Sequence, residues 1–162
     1  MKAHEICKNI DPALISDLFN WMRSEEKDLY KTTLATLANN RKLRPVFVQK
    51  KSIPDQITWM HNTLKLRTSD AIAEHLFQVW FMKGQKELLA SFCDGMGIEH
   101  NEGTVEGDLP ESLDADKLKA TTDALLASHD PKLITLYLRI FNLQTPEGWD
   151  ALSTLLESDE RL

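Results

Sequence analysis

Cysteine is nearly missing from this chain. Cys7 and Cys93 are the only 2. They lie far apart, and neither sits in a CxxC pattern. A disulfide framework is therefore excluded, and a reducing compartment is expected. Glycine and proline are also scarce, at 6 each, which argues against a disordered or loop-rich chain. No stretch approaches the ~18 unbroken apolar residues of a membrane span. The densest, 133–143, is interrupted by Thr135, Arg139 and Asn142 and reads as a buried helix. The opening Met1-Lys2-Ala3-His4-Glu5-Ile6 has no apolar run of secretory type. The expectation is a cytoplasmic protein with no membrane partner. The phosphate signatures GxGxxG and GxxxxGK followed by Ser or Thr are absent, as is HExxH. No catalytic residue, metal ligand or cofactor is assigned on this basis.

What remains is ordinary globular material. Of 162 residues, 42% are apolar and 27% charged, enough for one domain with a sizeable core. Apolar residues recur at helical spacing almost throughout. Asp11-Pro12 opens a first helix, carrying Leu14, Ile15, Leu18, Phe19 and Met22. A second is expected over 25–38, closed by Asn39-Asn40. Arg44 precedes Pro45, and Val46-Phe47-Val48 is β-branched and aromatic, so an extended segment is predicted there. Ser52 and Pro54 open a third helix with Ile57, Met60, His61 and Leu64. A fourth, 71–82, is apolar nearly all round, which predicts burial. A fifth covers 85–94. The glycine-bearing segment 95–113 reads as irregular, and helices follow over 114–127, 130–143 and 147–156.

The fold expected is all-α: one compact multi-helix domain over 1–162, with about eight helices. Candidate sub-units are a helical hairpin at 1–40 and three-helix units at 54–95 and 114–157. A shift of 60 residues pairs Asp70 with Asp130, Leu76 with Leu136, Phe77 with Tyr137 and Phe81 with Phe141, so an internal duplication is a candidate explanation.

Charge is segregated along the chain. Between Asp28 and Asp55 there is no acidic residue, yet Lys31, Arg41, Lys42, Arg44, Lys50 and Lys51 fall there. Between Lys86 and Lys117 there is no basic residue, yet 9 carboxylates do, among them Asp94, Glu99, Glu102, Glu106 and Asp108. Such asymmetry points to electrostatic partners. The basic stretch has two readings: a docking surface for an anion, or a solvated connector whose charges face the acidic loop of the same molecule or of a neighbour. Charge runs alone usually mean solvation. Nucleic acid is not the expected partner, because the net charge is −6. Phe47 is the only aromatic of the basic segment 41–51 available for stacking.

Other groups invite chemistry. His100 with the loop carboxylates resembles a cation site in composition but not in EF-hand spacing. His61 and His75 lie on apolar faces of consecutive helices, near enough in sequence for their rings to meet, but they lack a third ligand. Cys93 falls on an inward face, where a thiol is an inert hydrophobe. Trp21, Trp59, Trp80 and Trp149 are spread over four helices as core fillers. Trp59 alone lies off its apolar stripe, where it is a candidate anchor.

The function expected is a non-enzymatic protein-interaction module. It uses the basic segment 41–51 and the acidic glycine-containing loop 94–108, with a protein partner or self-association. The binding residues assigned are Arg41, Lys42, Arg44, Phe47, Lys50, Lys51 and Trp59. The alternative is a small metal-dependent enzyme or metal-binding protein built on the acidic loop and His100.

Overall fold

Short capping sequences set the helix starts. Asp11, Asp114 and Asp130 each accept a hydrogen bond from a backbone N–H of the first turn that follows, at 2.8–2.9 Å. Ser52 does the same more loosely, at 3.4 Å. Each satisfies a donor that the helix itself leaves open. In the computed structural model, which describes residues 1–162, the chain is all-α. In order the helices are α1 (Ala3–Asn9), α2 (Pro12–Glu25), α3 (Lys27–Asn40), α4 (Pro45–Gln49), α5 (Ile53–Leu64), α6 (Asp70–Val79), α7 (Lys86–Met96), α8 (Ala115–Ser128), α9 (Pro131–Asn142) and α10 (Asp150–Ser158). A 3-10 turn (Arg67–Ser69) leads into α6, and a π turn (Trp80–Gly84) follows it. No helix is long and apolar enough to cross a membrane.

Backbone contacts divide the chain into two compact units, Met1–Trp80 and Phe81–Leu162. The boundary falls inside the π turn, and so within the 54–95 segment that the sequence groups as one three-helix unit. The segments matched by the 60-residue shift thus differ from the two units.

In the first unit, α2 and α3 pair as a hairpin. Leu14, Ile15, Leu18, Phe19 and Met22 face Tyr30, Leu34, Leu37 and Ala38, all buried. Phe19 meets Tyr30 edge-on, with ring centroids 6.2 Å apart, a geometry aromatic quadrupoles favour. Each such apolar side chain contributes about 1.5–3 kcal/mol when fully buried. The N-terminal helix α1, which the sequence leaves unassigned, is held by two histidines. His4 donates its backbone N–H and presents ring Nδ1 to one oxygen of Asp70, at 3.0 and 2.7 Å. His61 of α5 reaches the carbonyl of Cys7 through Nε2 at 2.8 Å.

In the second unit, α7 and α8 approach closely. A Cβ on Gly95 would lie 2.5 Å from Thr121 Oγ1, so Gly95 is a packing residue inside α7 and not the start of the loop. The helix ends two residues beyond the predicted stop, at Gly97, whose φ of 69° supplies the left-handed cap. Phe81, Phe92, Tyr137, Phe141 and Trp149 form one aromatic cluster, with centroid spacings of 4.8–6.1 Å. Trp149 also donates its indole N–H to the carbonyl of Pro110 at 2.8 Å, fastening the long loop to the start of α10.

Candidate interaction surface

The basic stretch begins where α3 stops. Lys42 N–H bonds to Asn39 O, and Leu43 N–H to Ala38 O, both at 2.9 Å. This is the double closure of a Schellman motif. Its left-handed position is filled by Lys42, with φ 56°, where glycine is the common choice. Arg44 is then extended, as the following proline requires.

The extended segment predicted at 46–48 is overturned here. Residues 45–49 make a short helix. Pro45 occupies its first position, where a missing N–H costs nothing and φ is already set. No strand is available to pair with, and β-propensity without a sheet has little force. Val48 is the one side chain of α4 that is buried, at 1% exposure. The C-terminal carbonyls are satisfied from α5: Gln56 Nε2 donates to Gln49 O at 3.1 Å and to Lys51 O at 3.0 Å. Gln56 Oε1 in turn accepts from the Tyr30 hydroxyl at 2.8 Å. One buried amide thus fixes α4 to α5 and α3.

This anchoring turns the rest of the segment outward. Phe47 is 58% exposed, Val46 41% and Leu43 39%. Arg41, Lys42, Arg44, Lys50 and Lys51 are all exposed, and none has a carboxylate partner within ion-pair distance. Six of the seven residues assigned from sequence therefore share one exposed, continuous stretch. Trp59, the candidate anchor off the apolar stripe of its helix, is half-buried on α5 and outside this stretch. Gln56 was missed. Its only sequence signal is a polar residue beside Ile57 on the inward face of a helix.

The acidic loop is built differently. It folds onto α7 through a tight turn, Asn101–Thr104, with N–H···O bonds in both directions at 2.8 and 2.9 Å. The two central residues, Glu102 and Gly103, have φ of 50° and 86°, as a two-residue I′ turn demands. A Cβ on Gly103 would fall 2.4 Å from Leu89 Cβ. His100 is occupied on both ring nitrogens. Its Nδ1 accepts from Gly103 N–H at 2.9 Å, which leaves Nε2–H to donate to Asp94 at 2.7 Å. Glu102 is paired with Lys86 at 3.2 Å. Two open grooves border the segment. One, about 320 Å³, includes Met96, Ile98, Leu113, Glu99, Asp108 and Lys117. The other, about 460 Å³, includes Leu109, Pro110, Pro146, Trp149, Glu111 and Glu147.

The remaining candidates do not converge. His61 is buried against Cys7, whereas His75 is exposed. Burial pulls His61 below its ordinary pKa, against the opposing pull of the Cys7 carbonyl. The Cys93 thiol is buried 3.9 Å from the Gly103 carbonyl. Burial, then the Asp94 charge, pushes its pKa up to about 11. Burial, with Asp70 nearby, takes Cys7 to about 12. Nucleophiles need the opposite shift. No group of three or more His, Cys, Asp or Glu side chains is arranged to hold a metal ion.

No protein family, curated protein or solved structure matches the chain.

Proposed function

We propose that the chain is a non-enzymatic interaction module that docks an acidic protein partner on the surface 41–51. The observation that carries this reading is the combination of five unpaired, exposed cations with an outward-facing Phe47 on a helix clamped from behind. Unpaired cations steer an acidic partner and set its orientation, and the apolar side chains give the complex its residence time. Aromatic and Arg side chains are the residues most often found carrying such interfaces. A nucleic-acid partner fits less well, since the chain is acidic overall and offers a single stacking ring in the stretch. Two buried, unpaired thiols fit a reducing compartment such as the cytoplasm.

The test uses a synthetic Glu-rich peptide carrying one Leu and one Phe, titrated into the isotopically labelled chain. Amide shifts confined to 41–51 and weakening with added salt are expected. The double variant Lys50→Glu, Lys51→Glu should lose them. Shifts spread evenly over the surface, or none at all, would overturn the reading. So would binding to anionic vesicles with no response to the peptide.

A further inference from the structure

The second unit carries a surface that complements the first. The groove of about 460 Å³ has Leu109, Pro110, Pro146 and Trp149 for its apolar lining and Glu111 and Glu147 among its lining residues, with no cation. Both carboxylates are exposed and have no ion-pair partner. The neighbouring groove is less suited to a cationic guest, because Lys117 lines it. An exposed Phe47 amid cations and an open, partly apolar groove edged by carboxylates match in sign and in pairing an apolar group with an apolar surface. The units also differ in net charge. Residues 1–80 hold 12 Lys+Arg and 9 Asp+Glu, a net of +3, and residues 81–162 hold 7 and 16, a net of −9.

We infer that the acidic partner is a second copy of this chain, whose Leu109–Trp149 groove receives Phe47 while Glu111 and Glu147 meet Lys50 and Lys51. This rests on the docking reading of 41–51 and narrows it to one occupant. The groove is large enough to accept an aromatic side chain, lying within the usual size range of ligand pockets. The contact is heterologous, since each copy offers a different patch to the next. It therefore builds a ring or an open chain, depending on whether the rotation closes.

Sedimentation of the full chain over a range of concentration and salt is the experiment, with two charge-reversed variants. One carries Lys50→Glu and Lys51→Glu; the other carries Glu111→Lys and Glu147→Lys. All four side chains are exposed, so both variants should fold, which circular dichroism checks. Wild type should associate at low salt and dissociate as salt rises. Each variant alone should associate about tenfold or more weakly, because each then presents like charges to itself. Mixing the two should restore association, since the reversed patches complement one another. A wild type that stays monomeric throughout would overturn the inference. If the Glu-rich peptide still shifts 41–51, the docking reading itself stands; if it does not, both fall. Association that ignores reversal at Glu111 and Glu147 would also overturn it.

Discussion

The basic stretch 41–51 and the acidic stretch 94–108 are counterparts in sequence, each a run of one sign beside a few apolar residues. Their side chains are treated in opposite ways. In the acidic stretch most of the ionic and polar groups turn back on the protein, Glu99 and Asp108 excepted: His100 is held by Asp94 and by Gly103 N–H, Glu102 by Lys86, and Asn101 reaches Glu106 at 3.3 Å. In the basic stretch the backbone is what is held, through Gln56 and the closure at Lys42, and the cations are left without partners. The lesson is that a charge run gains its meaning from what satisfies the backbone beneath it. When backbone and side chains are anchored by different groups, the side chains are available to something else.

The strongest way to break this comparison is at Gly103. Gly103→Val puts a side chain against Leu89 and Ala90, at a φ of 86°. Strain and overpacking together should cost about 2–4 kcal/mol in urea unfolding. A change under about 0.5 kcal/mol, the range of a neutral surface substitution, would mean the loop is not seated on α7.

The corresponding change under the basic stretch is Gln56→Ala. It leaves the Tyr30 hydroxyl and the Gln49 and Lys51 carbonyls without their partner, at a cost of about 1–3 kcal/mol. Amide exchange should accelerate over 45–51 and not over α7. Uniform acceleration would deny the clamp its local role.

Acidification separates the packed side of the first unit from its exposed surface. His61 has a folded pKa below its ordinary 6.5, so the unfolded chain binds a proton more readily. Stability is full above pH 6.5 and falls as pH drops through the folded value. Asp70 adds a lower window. Burial raises its pKa, but the His4 backbone N–H and ring outweigh that and leave it below 3.8, so its contribution is lost only in stronger acid. The slope of stability between about pH 7 and 5 should shrink in His61→Gln. An unchanged slope would place the titration elsewhere.

The smallest effect is at Lys42. Lys42→Gly relieves a left-handed side chain and should leave the fold as stable or up to about 1 kcal/mol more so, while removing one cation from the surface. Loss of stability would mean that the Lys42 side chain packs against the fold.

Most of the helices are visible in the sequence because their chemistry is local: a capping Asp or Ser, an apolar residue every third or fourth position. Two failures are informative. Val46-Phe47-Val48 has strand composition, but a proline at the first helical position and a glutamine seven residues beyond Gln49 set its conformation, and composition cannot register the second. Helix α1 opens without a capping Asp or Ser: its 7 residues are held by His4–Asp70 and His61–Cys7, contacts spanning 66 and 54 residues. The cations and Phe47 of the candidate surface were legible as residue types. Their exposure and lack of partners were not, since both depend on where the distant carboxylates lie. Trp59 shows the converse: a ring off its helix stripe is still half-covered by tertiary packing.

The most direct test of the account is the affinity of the Leu- and Phe-bearing acidic peptide for wild type and for Phe47→Ser, with unfolding curves recorded on both. Phe47 should act on the partner and not on the fold: unfolding should agree within about 0.5 kcal/mol, and affinity should drop about tenfold or more. A variant that binds as well as wild type but unfolds far more easily would contradict it, because the ring would then belong to the core.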